Sequence, residues 1–298
     1  MNSLIEQAAQ RLEQLRQAGA EMPEVPQTAK PFVANHASAA DVPPSALSRR
    51  VEIDLQALAQ AGIVSPNAPR SQIADQFRVI KRPLISNAMG KGPSMIANGN
   101  LIMITSALPG EGKSFTAINL AMSIATELDY TVMLVDADVG RPSVMNVLGL
   151  PVGPGLLDLV VDESKDLSSV LLRTNIDKLT ILPSGTPHAR ATELLASDAM
   201  ARLLNDMAQR YADRIIIFDS PPLLLATESR VLASHMGQVV MVVRAQKTLQ
   251  SDVAQALATI ESCPVKLMLL NQARTITKGG YENGSGYGYG YGYAQQQA

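Results

Sequence analysis

From about residue 70 onwards, short runs of consecutive apolar residues alternate with longer segments of helical periodicity. Unbroken apolar runs are typical of strands buried on both faces, as in a parallel sheet covered by helices. Ser71 can cap a helix that ends at Pro83, and residues 114–128 have the spacing of a second helix. The predicted strands are residues 101–105, 132–135, 215–218, 239–243 and 267–270. The pattern therefore predicts an α/β domain with a mostly parallel sheet and helices on both faces.

The two ends of the chain differ in composition from the middle. Apolar residues at helical spacing predict an amphipathic helix in residues 1–20, and proline enrichment predicts a linker with room for a short helix in residues 21–69. The α/β domain is predicted for residues 70–277, followed by a disordered Tyr/Gly-rich tail in residues 278–298. Neither a secretory signal nor an 18-residue apolar stretch is present, so we expect a cytoplasmic protein.

Composition narrows the classes of function. The net charge of −2 argues against a dedicated nucleic-acid-binding protein, which would carry a basic excess. The single cysteine, Cys263, excludes an internal disulfide and a multi-cysteine metal site, and we interpret it as a core residue. Only 4% of residues are aromatic, yet the last 18 residues hold five of the seven tyrosines, at Tyr281, Tyr287, Tyr289, Tyr291 and Tyr293. Core packing does not explain that crowding.

A phosphate-binding loop is predicted between the strand in residues 101–105 and the helix in residues 114–128. Residues 107–114 follow a strand and open a helix, with Ala107 in place of the usual first glycine. Small residues let backbone N–H groups wrap a phosphate, and the helix N-terminus adds partial positive charge. We expect ATP as the ligand, with Lys113 reaching the β- and γ-phosphates and Ser114 binding Mg²⁺. The predicted nucleotide-binding residues are Pro109, Gly110, Glu111, Gly112, Lys113, Ser114 and Phe115.

Three acidic residues come at the ends of predicted strands. Asp136 and Asp138 end one strand, and Asp219 ends another. The carboxyl ends of parallel strands lie at one edge of a sheet, which is the edge that the phosphate loop leaves. Carboxylates beside a nucleotide are unfavourable unless a cation lies among them, and Mg²⁺ supplies it. One of the two acids at residues 136 and 138 is then available as a general base. For each acid alone, a helix N-cap or a solvated turn is the alternative.

These parts together resemble the bacterial tyrosine kinases of capsular and exopolysaccharide synthesis, usually called BY-kinases. The resemblance rests on the phosphate loop, the Asp-x-Asp strand end, the Asp-Ser-Pro-Pro strand end and the terminal tyrosines, over residues 70–298. Residues 77–84, 107–114 and 140–143 resemble the exosortase-associated tyrosine autokinase branch in particular. The implied fold is that of a P-loop NTPase with a deviant Walker A, or MinD-like, architecture.

The resemblance implies a role for each matching residue. Lys113, Asp136 and Asp138 match catalytic residues, with Asp136 taking the tyrosine proton. Ser114, Asp138 and Asp219 match the residues that organise Mg²⁺. The five terminal tyrosines match phosphoacceptors.

A helix that the family uses for subunit contacts also has a counterpart, with two departures. Asp75, Arg78 and Lys81 match a Glu-x-x-Arg-x-x-Arg helix in the family. The lysine cannot make the bidentate contacts of arginine. The alternative to a subunit contact is a solvated charged face of the helix. Many family members have an arginine where this chain has Gly140, and here Arg141 comes next.

The implied function is ATP-dependent autophosphorylation of the tyrosine cluster, which regulates exopolysaccharide synthesis and export. The implied partners are other copies of the chain in a ring, where a tail reaches a neighbour, together with protein tyrosine substrates. A separate membrane polysaccharide co-polymerase is the implied activator, and it would hold the protein at the inner face of the membrane. A Gly-rich chain of about 20 residues has a root-mean-square reach of about 25 Å, enough to approach a neighbouring subunit.

Two other functions remain open at this point. A MinD/ParA-like ATPase switch would share the deviant loop and similar acids, but its signature lysine is replaced by Leu108 and the chain ends without a basic cluster. A non-catalytic nucleotide-binding scaffold with an adhesive tail is the other alternative.

Overall fold

The computed structural model describes residues 48–66, 71–92, 94–211 and 213–273. They form an eight-stranded sheet with the order β1-β4-β5-β3-β6-β2-β7-β8, in which every pairing is parallel except β4 with β5. The strands are β1 (Arg49–Arg50), β2 (Leu101–Ser106), β3 (Thr131–Asp136), β4 (Leu172–Arg173), β5 (Leu179–Leu182), β6 (Arg214–Asp219), β7 (Gln238–Arg244) and β8 (Val265–Asn271).

Helices connect these strands and cover both faces of the sheet. They are α1 (Leu55–Gln60), α2 (Gln72–Ala88), α3 (Lys113–Ala125), α4 (Val144–Val147), α5 (Leu156–Val161), α6 (Ala191–Leu195), α7 (Asp198–Arg210), α8 (Thr227–Ser234) and α9 (Gln250–Ala258). The predicted α/β fold with a mostly parallel sheet is therefore confirmed.

Two hydrophobic cores lie on opposite faces of the sheet. Successive side chains of a strand point to opposite faces. Ile102 and Ile104 of β2 accordingly join the core formed with α2 and α3, while Leu101 and Met103 join the core formed with α7 and α8. Burial on both faces explains why the central strands are apolar without interruption. Cys263 belongs to the second core, as predicted, and burial raises the pKa of its thiol.

The predicted strands are all present, and most extend by one or two residues beyond their predicted bounds. The predicted end of the helix at Pro83 is wrong, because α2 continues to Ala88 with that proline inside it. A proline in a helix removes one backbone hydrogen bond. Here the next turn is held by packing and by β7, since Leu84 and Ile85 are buried and the Gln238 side chain donates to the Leu84 carbonyl at 3.1 Å.

The structure also corrects the predicted start of the domain. Residues 48–66 fall within the predicted linker, but they pack onto the sheet as part of the same compact unit. Val51 donates its backbone N–H to the carbonyl of Arg173 at 2.8 Å, and Val64 donates to Asn119 Oδ1 at 2.7 Å. Burial of its apolar side chains decides the position of this segment.

The remaining parts of the chain at its two ends lie outside the described residues. These parts include the predicted amphipathic helix in residues 1–20 and the predicted tail in residues 278–298. Within the described ranges, no helix has both the length and the apolar character needed to cross a membrane.

The position of Lys81 differs from that expected of a subunit contact. Its side chain is 2% exposed, and its ammonium contacts Glu127 Oε1 at 2.8 Å and donates to the carbonyl of Ser123 at 2.5 Å. Glu127 follows α3, so this contact joins α2 to α3 within one subunit, and it holds the pKa of the Glu127 carboxyl below its usual value. An ammonium enclosed in this way is not available to a neighbouring subunit. Asp75 and Arg78 are exposed and pair with each other at 2.7 Å.

Replacing Glu127 with alanine is expected to lower the free energy of unfolding by about 3 kcal/mol, because the buried Lys81 ammonium would lose its carboxylate partner. Arg78→Ala on the same helix is the matched control, and its loss from an exposed pair should stay below about 1 kcal/mol. Chemical denaturation of both variants measures the difference. Equal losses would contradict a structural role for the buried pair.

Candidate functional site

The phosphate-binding loop connects β2 to α3 at the carboxyl edge of the sheet. Gly110 and Gly112 have φ values of 77° and 97°, a left-handed region that suits glycine. Gly112 is the N-cap of α3, so the helix begins at Lys113 with the loop directly before its N-terminus. The local structure is thus a strand, a glycine turn and a helix N-terminus, which is the arrangement that binds phosphate.

The end of β8 closes one side of this loop. Asn271 donates its side-chain amide to the carbonyl of Glu111 at 2.9 Å. A Cβ atom on Gly112 would lie 2.1 Å from the nitrogen of that amide, so a side chain here would displace the Asn271 amide and would also strain the left-handed backbone. Glycine at this position therefore leaves room for the Asn271 amide to reach the loop.

Lys113 and Asp138 lie together at the mouth of the site. The Lys113 ammonium lies 3.3 Å from Asp138 Oδ2, and both side chains are about nine-tenths buried, with exposed fractions of 11% and 10%. The other Asp138 oxygen accepts the backbone N–H of Arg141 at 3.2 Å, which fixes the turn after β3. A lysine held by a carboxylate at a helix N-terminus is a positive group ready to meet phosphate oxygens.

Asp136 and Asp219 are register partners at the ends of neighbouring strands β3 and β6. Both residues are fully buried. Burial is the main cause that raises the pKa of Asp136 to about 7, and the nearby charge of Asp219 adds to it. Burial also raises the pKa of Asp219 to about 6, against the opposing effects of the Ser114 hydroxyl and the Lys113 ammonium. Two adjacent buried carboxylates favour a cation between or beside them.

Whether Mg²⁺ fits this site depends on the carboxylate oxygens of Asp136 and Asp219 that have no hydrogen-bond partner. Among the described residues, both Asp219 oxygens and Oδ1 of Asp136 are buried without a hydrogen-bond partner. The same part of the chain holds no set of three His, Cys, Asp or Glu side chains arranged to bind a metal by themselves. Mg²⁺ at nucleotide sites typically takes one or two carboxylates, substrate phosphates and water. The orphaned oxygens of Asp219 beside the Ser114 hydroxyl fit such an ion.

Asp136 also has a structural contact. Its Oδ2 accepts the backbone N–H groups of Ser143 and Val144 at 3.1 and 3.0 Å, at the start of α4. One oxygen of the Asp136 carboxylate therefore caps a helix, as the alternative interpretation of the sequence expected. Oδ1 has no hydrogen-bond partner, so the same side chain retains one oxygen able to accept a proton.

The structure brings most predicted site residues to one edge of the sheet. Phe115 differs, because its side chain packs against the core on α2 and α3, so only its backbone faces the loop. Arg141 is exposed in the turn after β3. The predicted phosphoacceptors, Tyr281, Tyr287, Tyr289, Tyr291 and Tyr293, lie outside the described residues.

Three contacts at the site involve residues that the sequence analysis did not single out. Ser143 donates its hydroxyl to Ser114 Oγ at 2.8 Å, Thr248 contacts the Glu111 carboxylate, and Asn271 holds the loop carbonyl. Ser143 lies in the 140–143 segment that carried part of the resemblance, which was the only signal for it. Thr248 and Asn271 reach the loop from distant parts of the chain, and no local pattern predicts them.

Comparison with known proteins agrees with this geometry. The AAA domain family matches residues 99–272. Tyrosine-protein kinase YwqD of Bacillus subtilis strain 168 is 30% identical over 209 residues, covering 70% of this chain and 84% of YwqD. Tyrosine-protein kinase ptk of Acinetobacter johnsonii is 32% identical over 185 residues, covering 61% of this chain but only 25% of ptk.

Solved structures show the same similarity. The chimerical protein CapA2B2 is 28% identical, with a TM-score of 0.58 and coverage of 74% of this chain and 93% of that one. The kinase domain of Escherichia coli tyrosine kinase ETK shares the fold, with a TM-score of 0.58 at 24% identity and coverage of 77% and 97%. The resemblance to the exosortase-associated branch stays a prediction. With its phosphate loop and strand-end acids in place and these relatives beside it, the chain belongs to the family of bacterial tyrosine-protein kinases.

Proposed function

We propose that the protein is an ATP- and Mg²⁺-dependent tyrosine autokinase that phosphorylates its own C-terminal tyrosines. The observation that carries the proposal is the pair of buried carboxylates, Asp136 and Asp219, next to Lys113 and Ser114 at the phosphate loop. An ordinary phosphate-loop site needs one strand-end acid to organise the metal. The additional acid at the end of β3 gives this site a proton acceptor for a hydroxyl nucleophile.

The chain's own residues divide the work of phosphoryl transfer between them. The N–H groups of the loop and the Lys113 ammonium bind the β- and γ-phosphates, and Ser114, Asp138 and Asp219 would hold Mg²⁺. When bound, Mg²⁺ supplies charge neutralisation on the transferred phosphoryl group. Positioning and electrostatics account for most of the catalysis in such transfers.

Asp136 is the proposed base. As the tyrosine oxygen forms its bond to the γ-phosphorus, the bond between that phosphorus and the β–γ bridging oxygen breaks, and the phenol proton passes to Oδ1 of Asp136. A pKa of about 7 makes this carboxylate an effective proton acceptor near neutral pH. Its second oxygen stays bound to the backbone of α4, which holds the carboxylate in place.

The tail is the proposed substrate in a neighbouring subunit of a homo-oligomeric ring. Phosphorylation of five tyrosines would add about −8 to −10 charges at neutral pH. That charge is large beside the net charge of −2 of the whole chain, and self-repulsion would loosen the ring. Exposed Asp75 and Arg78 remain proposed subunit contacts, and buried Lys81 is not proposed as one.

The cellular setting is proposed from the family. A separate membrane polysaccharide co-polymerase would activate the kinase and hold it at the inner face of the membrane. Other protein tyrosines would be further substrates, and the phosphorylation cycle would regulate exopolysaccharide synthesis and export. Nucleic acid is not an expected partner at a net charge of −2.

Purified protein incubated with Mg-ATP is expected to accumulate phosphotyrosine between residues 281 and 293, mapped by mass spectrometry. A variant with phenylalanine at the five tail tyrosines is the matched control and should lose that signal. Phosphate release without phosphotyrosine would contradict the kinase in favour of an ATPase switch. Absence of both reactions would favour a non-catalytic scaffold.

A second experiment tests the assembly cycle by light scattering. Equal subunit numbers before and after phosphorylation would contradict that cycle.

A further inference from the structure

We propose that the side chains of Glu111 and Thr248 form a positioning pair that holds the phosphate loop in its nucleotide-binding shape. The inference rests on the proposed nucleotide site, and it assigns a role to a threonine far from the loop in sequence. Neither side chain needs to touch the nucleotide for this role. The pair would act through the backbone N–H groups that do.

Glu111 is buried although it lies in the middle of a loop that binds anions. Its residue is 2% exposed, between the two left-handed glycines of the loop. One carboxylate oxygen accepts the backbone N–H of Leu108 at 2.8 Å, which joins the start of the loop to its centre. The other oxygen accepts the hydroxyl of Thr248. The carboxylate is thereby used inside the protein, and the N–H of Leu108 is not offered to a phosphate.

Thr248 anchors this contact in the turn between β7 and α9. Its Oγ accepts the backbone N–H of Arg244 at 3.1 Å, so the hydroxyl joins the end of β7 to the loop. The same turn is tied to β8, because the Ala245 N–H donates to the carbonyl of Asn271 at 2.9 Å. Asn271 in turn donates to the carbonyl of Glu111. The Glu111 carboxylate is therefore held by the turn that follows β7, and its carbonyl is held by the last residue of β8.

The charge of Glu111 makes a purely incidental contact unfavourable. A buried carboxylate close to bound phosphates would repel them, and its burial costs free energy unless hydrogen bonds satisfy it. Hydrogen bonds to an ionised group are stronger than those between neutral groups, so losing one leaves the loop free to adopt other shapes. The expected consequence is weaker binding of nucleotide phosphates with little change in the fold.

The test measures binding of Mg-ADP to the full-length protein by titration, with thermal denaturation of the nucleotide-free protein alongside. Glu111→Ala and Thr248→Val are each expected to weaken Mg-ADP binding about tenfold or more. Thr248→Ser keeps the hydroxyl and should restore binding to that of the parent. The double variant should bind no more weakly than the weaker single variant, because the two changes share the loss of the Thr248–Glu111 contact.

Thr259→Val is the matched control. Its hydroxyl donates to the Ala256 carbonyl at 2.6 Å at the far end of α9, so Mg-ADP binding should stay unchanged. Parent-like binding by Thr248→Val, or multiplicative losses in the double variant, would overturn the proposal. The readout is nucleotide binding, so a protein that binds Mg-ADP through this pair but forms no phosphotyrosine would overturn the proposed kinase and leave this inference standing.

Discussion

Replacement of Lys113 by alanine is expected to abolish tail phosphorylation while the protein remains folded. The lysine begins α3 directly after the glycine turn, where its ammonium meets both the phosphate site and Asp138. Removing one preorganised charge from such a site costs a factor of about 10² to 10³ in rate. Because the loop would also bind nucleotide less tightly, the combined loss should take phosphotyrosine below detection by mass spectrometry.

Two further variants make the result specific. Lys165→Ala removes a half-exposed lysine that pairs with Asp162 at 3.7 Å, and its phosphotyrosine level should match the parent. Lys113→Arg keeps the charge but changes the shape of the donor group, so partial activity is expected. Circular dichroism checks that each variant is folded. Persistent phosphotyrosine in Lys113→Ala, purified from a host without other tyrosine kinases, would rule out the proposed role.

The central strands could be predicted from the sequence because each is buried on both faces. Residues 215–218 and 239–243 are apolar without interruption, and both predicted runs lie inside observed strands. The short strands β1 and β4 have two residues each and leave no pattern of their own. Their pairing depends on where distant segments pack, which single-residue preferences do not contain.

The acids of the site could be predicted for a related reason. The topology of a parallel sheet places strand ends at one edge, so Asp136 and Asp219 had to lie near the phosphate loop. Contacts made by loops follow no such rule. Thr248 lies 137 residues from Glu111 in sequence. Lys81 lies 42 residues from Ser123, whose carbonyl accepts a hydrogen bond from the Lys81 ammonium. The family resemblance indicated a subunit contact for Lys81, whereas side-chain packing decides its actual partner.

Replacing Asp219 with asparagine is expected to stabilise the nucleotide-free protein and to inactivate it. The parent must keep a buried carboxylate whose pKa is raised to about 6 from the ordinary value of 3.8, mainly by burial. One pKa unit corresponds to about 1.4 kcal/mol, so the neutral side chain should raise the free energy of unfolding by about 3 kcal/mol at pH 8. Phosphotyrosine formation should fall at least about 100-fold, because the negative charge and one of the two oxygens that fit Mg²⁺ are lost.

The pH dependence of stability distinguishes this cause from a simple change in packing. An acid with a raised pKa in the folded state binds its proton more tightly than the unfolded chain does. The stability that such an acid contributes is therefore fully present below about pH 4. It is lost as the pH rises through the folded pKa of each acid, which is about 6 for Asp219 and about 7 for Asp136. Chemical denaturation from pH 4 to pH 8 should show a steeper loss of stability in the parent than in Asp219→Asn.

The matched control is Asp213→Asn, which changes an exposed residue just before the same strand and should follow the parent. An Asp219→Asn variant that is less stable than the parent at pH 8, with the same pH slope, would contradict a strained carboxylate pair and the metal site built on it.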